Sequence, residues 1–395
     1  MPGSPALPTL TTLMVRAGIG LSTRADGKQA AEEAVASALA QGLRAEGALL
    51  LATPGYGSDM DAVLAAAGDA LGTATIVGAQ VHGVLGSGQE IEGGHGLAVL
   101  AIEGLELHGF LLEAGLGEEA GVADEIAARL GDAPRAEDLV VLFPDPRSVH
   151  LHALLDGIRK ELGPAQVVGA GAATLDASAP LQWCGREAAT GAVAGLVLRG
   201  ARVPRIGVTQ ACRPSSPLLT VTRTQGHWIL ELDGRPALDV YREIARGPLA
   251  EDLRRAASFV LAALPRDEAA PLEPGGYLVR NIAGFAVEAN AFAIPAALEK
   301  GDQIAFVHRE PETAREDLKA MLAGLGADPP GLALFFDCCA RGAGFFGVPG
   351  LESAYLEQAL GSVPLAGMFG SCELGPIAGR AELLTYTGVL ALLDR

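Results

Sequence analysis

The sequence predicts an α/β protein with mixed β-sheets and packed helices, built from repeated strand-helix-strand-strand units in two modules. Three observations carry that expectation. Short apolar runs alternate with segments of helical periodicity, a strand ending in glycine recurs at a set distance behind an apolar strand, and one stretch shows the alternation of a hairpin.

In chain order, GALLLAT from Gly47 is short and apolar, as a strand buried on both faces is. Leu51 stands 27 residues before Gly78 of TATIVGA, with a helix expected between them, and GLAVLAI from Gly96 supplies a further strand. The second copy opens with DLVVLF from Asp138. A helix follows from Ser148 to Leu162, where Leu151, Leu154, Leu155, Ile158 and Leu162 form one stripe and Gly163-Pro164 stops it. Leu142 again precedes Gly169 of AQVVGAG by 27 residues, and GAVAGLVL follows from Gly191.

The stretch from Gly200 to Pro204 is read as the boundary between a module over residues 11–201 and one over 202–395. Beyond it, PLLTVTRTQGHWILELDG sets two alternating runs around Gln225-Gly226, a hairpin signal. A helix is expected from Pro236 to Arg246, then strands with tight turns over YLVRNIAGFAVEANAFAI, with loops at residues 1–10 and from Pro265 to Pro274. DQIAFV from Asp302 reads as a strand. Ala314, Leu318, Met321 and Leu322 share a helix face, with Thr313 and Glu316 spaced as a capping box and Gly324 as the stop. A third, looser copy runs from Leu334 of GLALFF through a helix over Leu351 to Leu360 to Gly367 of PLAGMFG, and closes with TGVLALL from Thr387. Its connection is six residues longer.

Composition narrows the function. At 395 residues, two domains are the natural expectation, and with 49% hydrophobic against 19% charged residues the core is ample. A formal charge of −18 repels phosphate backbones and anionic lipid, so neither nucleic acid nor membrane is expected as a partner. No apolar run of membrane-spanning length and no basic leader appears, which predicts a cytoplasmic protein. Five cysteines without CxxC spacing fit reduced thiols better than disulfides or a zinc site.

Two segments could carry chemistry. FFDCCARG, Phe335 to Gly342, lies where an apolar strand meets a glycine-rich loop, so Cys338 or Cys339 is either a nucleophile beside Arg341 or a buried inert thiol. GMFGSCELGPIAG, Gly367 to Gly379, offers Glu373 as a base or amine ligand, and with Arg341 as one end of a clamp for a zwitterion. The alternative is a loop carboxylate with a structural partner. The corresponding loop of the first copy holds His82, Glu90, Glu92 and His95 at spacings that match no metal signature, and reads as solvated. His150 and His152 point to different faces of a helix. GIGLST at Gly18 and GAGAAT at Gly169 are partial dinucleotide fingerprints, and no GxSxG elbow is present.

Taken together, GALLLATPGYG, TATIVGAQVHGVLGSGQEIEGG, GVTQACRPSSPLLTVTRTQGHWILELDGRPALDVY, YLVRNIAGF, GDQIAFVHREPETAREDL, FFDCCARG and PLAGMFGSCELGPIAGR resemble the FIST family over most of the chain. The resemblance implies an N-terminal and a C-terminal FIST module acting as a sensory domain for small ligands, with amino acids proposed, and brings no catalytic residues or cofactor. The chain departs from the family pattern at Cys372-Glu373, at Cys339-Ala340 and at Gln80-Val81-His82.

The expectation that follows is a small-ligand sensor, for an amino acid or related metabolite, that signals through a separate protein partner. Its pocket would lie between the modules among the loops after Gly78, Gly169 and Gly367, with Arg280, Asn281, Cys338, Arg341, Gly342, Gly370, Ser371, Glu373 and His82 as ligand-binding residues. An enzyme with a Cys338 or Cys339 nucleophile and a protein-interaction scaffold are the competing readings.

Overall fold

A computed structural model of the chain describes residues 14–86, 88–113, 117, 119–200, 202–266 and 272–395. The loop expected at residues 1–10, and the middle of the one expected from Pro265 to Pro274, lie outside these residues.

Most of the chain is three units of one plan. The first runs β1 (Arg16–Ser22), α1 (Gly27–Ala38), β2 (Gly47–Ala52), α2 (Met60–Leu71), β3 (Ile76–Ala79), a hairpin of β4 (Gly83–Gly86) and β5 (Gln89–Glu92), and β6 (Leu97–Glu103). The second runs β7 (Glu106–Glu113), α3 (Glu119–Leu130), β8 (Asp138–Pro144), α4 (Leu151–Leu162), β9 (Gln166–Ala170), a hairpin of β10 (Leu181–Cys184) and β11 (Glu187–Thr190), and β12 (Ala192–Arg199).

The third opens with β13 (Arg205–Gln210) and is then interrupted. The insert comprises β14 (Cys212–Pro214), β15 (Leu219–Gln225), β16 (Trp228–Leu232), β17 (Arg235–Pro236), α5 (Ala237–Ala245), α6 (Gly247–Glu251), α7 (Leu253–Ala256), β18 (Val260–Pro265), β19 (Tyr277–Arg280), β20 (Gly284–Ala286), β21 (Ala291–Ala293) and β22 (Gln303–Arg309). The third unit resumes with α8 (Pro311–Gly324), β23 (Pro330–Cys338), α9 (Ala343–Phe346), α10 (Leu351–Leu360), β24 (Leu365–Gly370), the hairpin β25 (Glu373–Ile377) and β26 (Arg380–Leu384), and β27 (Thr387–Asp394).

Each unit supplies four neighbouring strands of a six-stranded sheet, in the orders β1-β6-β2-β3, β7-β12-β8-β9 and β13-β27-β23-β24. The remaining two strands come from another unit. The hairpin β10-β11 extends the first sheet beside β3, β25-β26 extends the second beside β9, and β4-β5 extends the third beside β24. Every unit therefore gives its hairpin to one neighbour and receives one from the other, which closes a ring of exchanges. The stretch from Gly200 to Pro204 separates β12 from β13, and hairpins cross it in both directions.

Side-chain alternation sorts the strands into an inner and an outer face. Leu49 and Leu51 of β2, Val141 and Phe143 of β8, and Leu334 and Phe336 of β23 meet in one central core. Leu50, Leu142 and Phe335, one residue out of phase, pack on the other face among the helices of their own unit. Each such leucine or phenylalanine contributes roughly 1.5 to 3 kcal/mol by leaving water, so a one-residue slip in any strand would exchange two cores at once.

The recurring glycine has a steric cause. A Cβ on Gly78 would sit 1.7 Å from the Leu50 carbonyl oxygen, one on Gly169 2.0 Å from that of Leu142, and one on Gly367 2.7 Å from that of Phe335. These carbonyls occupy the same place in the three units, so Leu50, rather than the expected Leu51, is the counterpart of Leu142. GIGLST is also a packing device. A Cβ on Gly18 or Gly20 would lie 1.9 Å from the carbonyl oxygen of Ala38 or Ala34, which lets the alanine-rich face of α1 rest directly on β1.

Several sequence expectations shift. The repeat begins one strand and one helix earlier than the strand-helix-strand-strand unit. The helix expected from Ser148 starts at Leu151. The residue preceding α8 is Glu310, with Pro311 leading the helix, and the Thr313 hydroxyl bonds the Glu310 carboxylate at 3.2 Å instead of capping. In the insert, Gln225 pairs with Trp228, so the turn is Gly226-His227, one residue later than expected.

Candidate functional site

The loops that follow β3, β9 and β24 come together. The His82 amide donates to the Phe369 carbonyl at 2.9 Å, the Ala173 amide to that of Gln80 at 3.0 Å, and the Gly171 amide to that of Cys372 at 2.9 Å. Ser371 adds two bonds, from its amide to the Gly171 carbonyl at 3.0 Å and from its hydroxyl to that of Ala172 at 3.1 Å. Each loop is thus tied to both others. Glycine makes the approach possible, since a Cβ on Gly171 would meet the Ser371 Oγ at 2.5 Å and one on Gly370 the Ala170 Cβ at 2.6 Å.

Beside this junction, outside the carboxyl ends of β2 and β3, lies an open cleft of about 520 Å³. Its walls come from two units: Gln80 and His95 from the first, and Thr174, Asp176 and Ser178 from the second. The position matches the crevice where open α/β sheets bind ligands. The Asp176 carboxylate is set by its own turn, with Oδ1 accepting from the Ser178 amide at 2.9 Å, and Oδ2 has no partner among the described residues. Hydrogen bonds from Ser178, the hydroxyl foremost, hold its pKa below the usual carboxylate value, so it is anionic at neutral pH. His95 packs edge-on to Tyr56 with ring centroids 5.1 Å apart. Thr53 fixes the segment before it, donating to the Gly94 carbonyl and accepting from the Gly96 amide, both at 2.8 Å. A carboxylate and an imidazole therefore face one hollow, between hydroxyl groups.

The clamp expected from Arg341 and Glu373 is not there. Arg341 is fully buried, with Nε 2.9 Å from Asp337 Oδ1 and Nη2 2.5 Å from Glu352 Oε1, so its charge is spent inside the third unit. Burial, and next the Glu352 charge, push the Asp337 carboxyl well above its usual pKa. Glu373 is equally buried, and its Oε2 accepts from the Thr387 hydroxyl at 2.7 Å and amide at 3.2 Å. Gly342 receives the Glu92 carboxylate, which a Cβ would meet at 2.3 Å. Gly370 and Ser371 belong to the junction beside the cleft, not to its lining, and so does the His82 amide. Arg280 is buried and Asn281 half-buried, both at the end of β19 in the insert.

Cys338 is buried. A hydrogen bond with Cys339, and then burial, raise its thiol pKa, while the same bond lowers that of the exposed Cys339. Glu90 and Glu92, expected as solvated residues, cap helices of another unit: Glu92 accepts from the Ala343 amide at 2.8 Å, and Glu90 from the Gly350 and Ser353 amides at 3.0 and 2.9 Å. Asp176 was missed by sequence reasoning. The available signal was a short polar turn, TLDAS, just after a glycine-ended strand.

Family models match at both ends of this arrangement, the FIST N domain over residues 46–235 and the FIST C domain over residues 237–376. The chain belongs to the FIST family. Such domains are linked generally to sensory or signal-transduction roles. Full-length relatives include the uncharacterized protein Rv0628c of Mycobacterium tuberculosis, 30% identical over 387 residues that span 96% of this chain and 99% of the relative. Another is the uncharacterized protein Mb0898c of Mycobacterium bovis, 31% identical over 96% of this chain and 98% of its own. Among solved structures, cyanuric acid hydrolase from A. caulinodans aligns over 48% of this chain and 72% of its own at 12% identity, with a TM-score of 0.26. A likeness that slight bears on neither fold nor function. The FIST N match ends at residue 235, inside the insert, so the two family domains divide the chain elsewhere than the three units do.

Proposed function

We propose that this FIST chain is a cytoplasmic small-ligand sensor that holds an amino acid or related zwitterionic metabolite in the cleft between the first and second units. Occupancy is passed to a separate signalling protein. One observation carries the reading: Asp176 and His95, from different units, line the same hollow at the strand ends. The ionised Asp176 suits an ammonium group, while His95 and the Thr174 and Ser178 hydroxyls suit a carboxylate. The net charge of −18 favours ligands that bring a cation. Because the walls belong to two units, a bound molecule bridges them and favours one arrangement of the ring over others. None of the described helices is long and apolar enough to cross a membrane, which fits a chain that works in the cytoplasm.

The test is thermal unfolding of the purified chain against a panel of amino acids and their decarboxylated and deaminated analogues. At least one intact amino acid raises the melting temperature in a saturable way, and Asp176→Asn removes the rise while leaving the unliganded melting temperature unchanged. A panel without any shift, joined to capture of a stable protein partner by the unliganded chain, would favour an interaction scaffold instead.

A further inference from the structure

Three arginines are buried among the described residues, and they differ in how their charge is met. Arg199 forks onto both oxygens of Asp138, at 3.0 and 3.1 Å, and Arg341 is held by Asp337 and Glu352. Arg280, 3% exposed at the end of β19, has no carboxylate within salt-bridge distance among the described residues. Its Nη1 donates to the Val279 carbonyl at 2.8 Å, and its Nε is buried without a partner among the described residues. A buried cation left uncompensated is costly, and proteins retain such groups where a counter-ion completes them.

The surroundings show what kind of counter-ion fits. The carboxylate nearest in charge, Glu382 on β26, is engaged by Arg266 at the end of β18. His152 on α4 keeps part of its ring in water, and burial of the rest, followed by the Arg280 charge, lowers its imidazole pKa. Arg266 meets Glu382 at the seam where the insert rests on the second sheet, and Arg280 and His152 lie near enough to Glu382 for its charge to act on both, with His152 on the solvent side. Arg280 shares a strand face with Leu278, two residues before it, which reaches the central core. Two guanidinium groups against one carboxylate leave a single positive charge. A dianion such as phosphate would sit against Glu382, which is itself buried, whereas a planar monoanion can take the fork of Arg280 in two parallel hydrogen bonds.

We propose that Arg280 is the anchor of a carboxylate-binding site at the seam between the insert and the second sheet, with Arg266 and His152 as flanking donors. The cleft at Asp176 does not share these residues, so the two sites stand or fall separately. Because the seam joins the insert to the exchanged hairpin β25-β26, a bound carboxylate ties the interruption of the third unit to the sheet of the second.

The probe is acetate, compared with chloride and phosphate at constant ionic strength, read by thermal unfolding of the full chain. Acetate gives a saturable rise that chloride and phosphate do not, Arg280→Gln abolishes it, and Asp176→Asn leaves it intact. Should Arg280→Gln not fold, Glu382→Gln decides: freeing Arg266 and removing the opposing charge tightens acetate binding by about threefold or more. Acetate acting no differently from chloride, a shift that survives Arg280→Gln, or one that Glu382→Gln leaves unchanged would each overturn the proposal.

Discussion

Gln182 and Glu373 make the same hydrogen bond in two different units. Each stands on an exchanged hairpin, Gln182 beside Ala79 and Glu373 beside Ala170, and each accepts at 3.2 Å from the amide that opens a closing strand, that of Ala192 or Thr387. The pair differs by one ionisable oxygen. Glu373 Oε1 is buried without a partner among the described residues, and burial first, then the Cys338 thiol, push the carboxyl well above its usual value. The unfolded value is near 4.5. A group whose pKa is raised by folding contributes all its stability below the unfolded value and loses it as pH climbs through the folded one. Glu373→Gln copies the second unit and removes that loss. Its unfolding free energy should match that of the wild type near about pH 4.5 and exceed it increasingly toward about pH 8, by roughly 1 to 3 kcal/mol. A gap that is constant across that range would show that Glu373 is not protonated by burial.

The strand glycines test the repeat itself. Gly78→Ala drives a methyl group into the Leu50 carbonyl, so a loss of roughly 3 kcal/mol is expected in urea unfolding. Gly57→Ala, where nothing among the described residues lies within 4 Å of the new Cβ, should change stability by less than about 0.5 kcal/mol. Equal costs at the two positions would remove the steric explanation of the recurrence.

Hairpin exchange makes a residue early in the chain stabilise a helix near its end. Glu90 on β5 accepts from the two amides at the start of α10, so Glu90→Ala should cost about 1 to 2 kcal/mol. Hydrogen exchange in Leu351–Leu360 should accelerate, while the α2 segment Met60–Leu71 of the same unit stays as protected as before. Acceleration confined to the first unit would contradict the exchange.

Thiol chemistry separates the cysteines. Cys339 is exposed with a lowered pKa, whereas burial pushes Cys212 and Cys372 up to about 12 and Cys338 is also raised. Iodoacetamide near neutral pH should therefore modify the native chain once, at Cys339, as seen by peptide mass mapping. A rate at Cys339 no greater than that of a free thiol would end any reading of it as a nucleophile.

Much of the architecture could be read from the residues. The alternation of apolar runs with the Leu151 to Leu162 stripe gives strands and helices, and the glycines at 78, 169 and 367 mark one position in three units because one carbonyl lies against each. The exchange could not be read. Hairpins of four or five residues per strand carry no signal for a partner such as β4 finds in β24, more than 250 residues away. The site was less legible still. Arg341 followed by Gly342 reads as a loop cation until Glu352 appears behind it on α10, eleven residues on. Asp176 belongs to no motif, and only the fold of the second unit brings it opposite His95.

The most direct test is a crystal structure of the chain grown with the amino acid that gives the largest thermal shift. Electron density between Asp176 and His95, with the ammonium group on Asp176 Oδ2, is the predicted result. Density for that compound only at Arg280 or on the outer surface, with the cleft empty, would contradict the account.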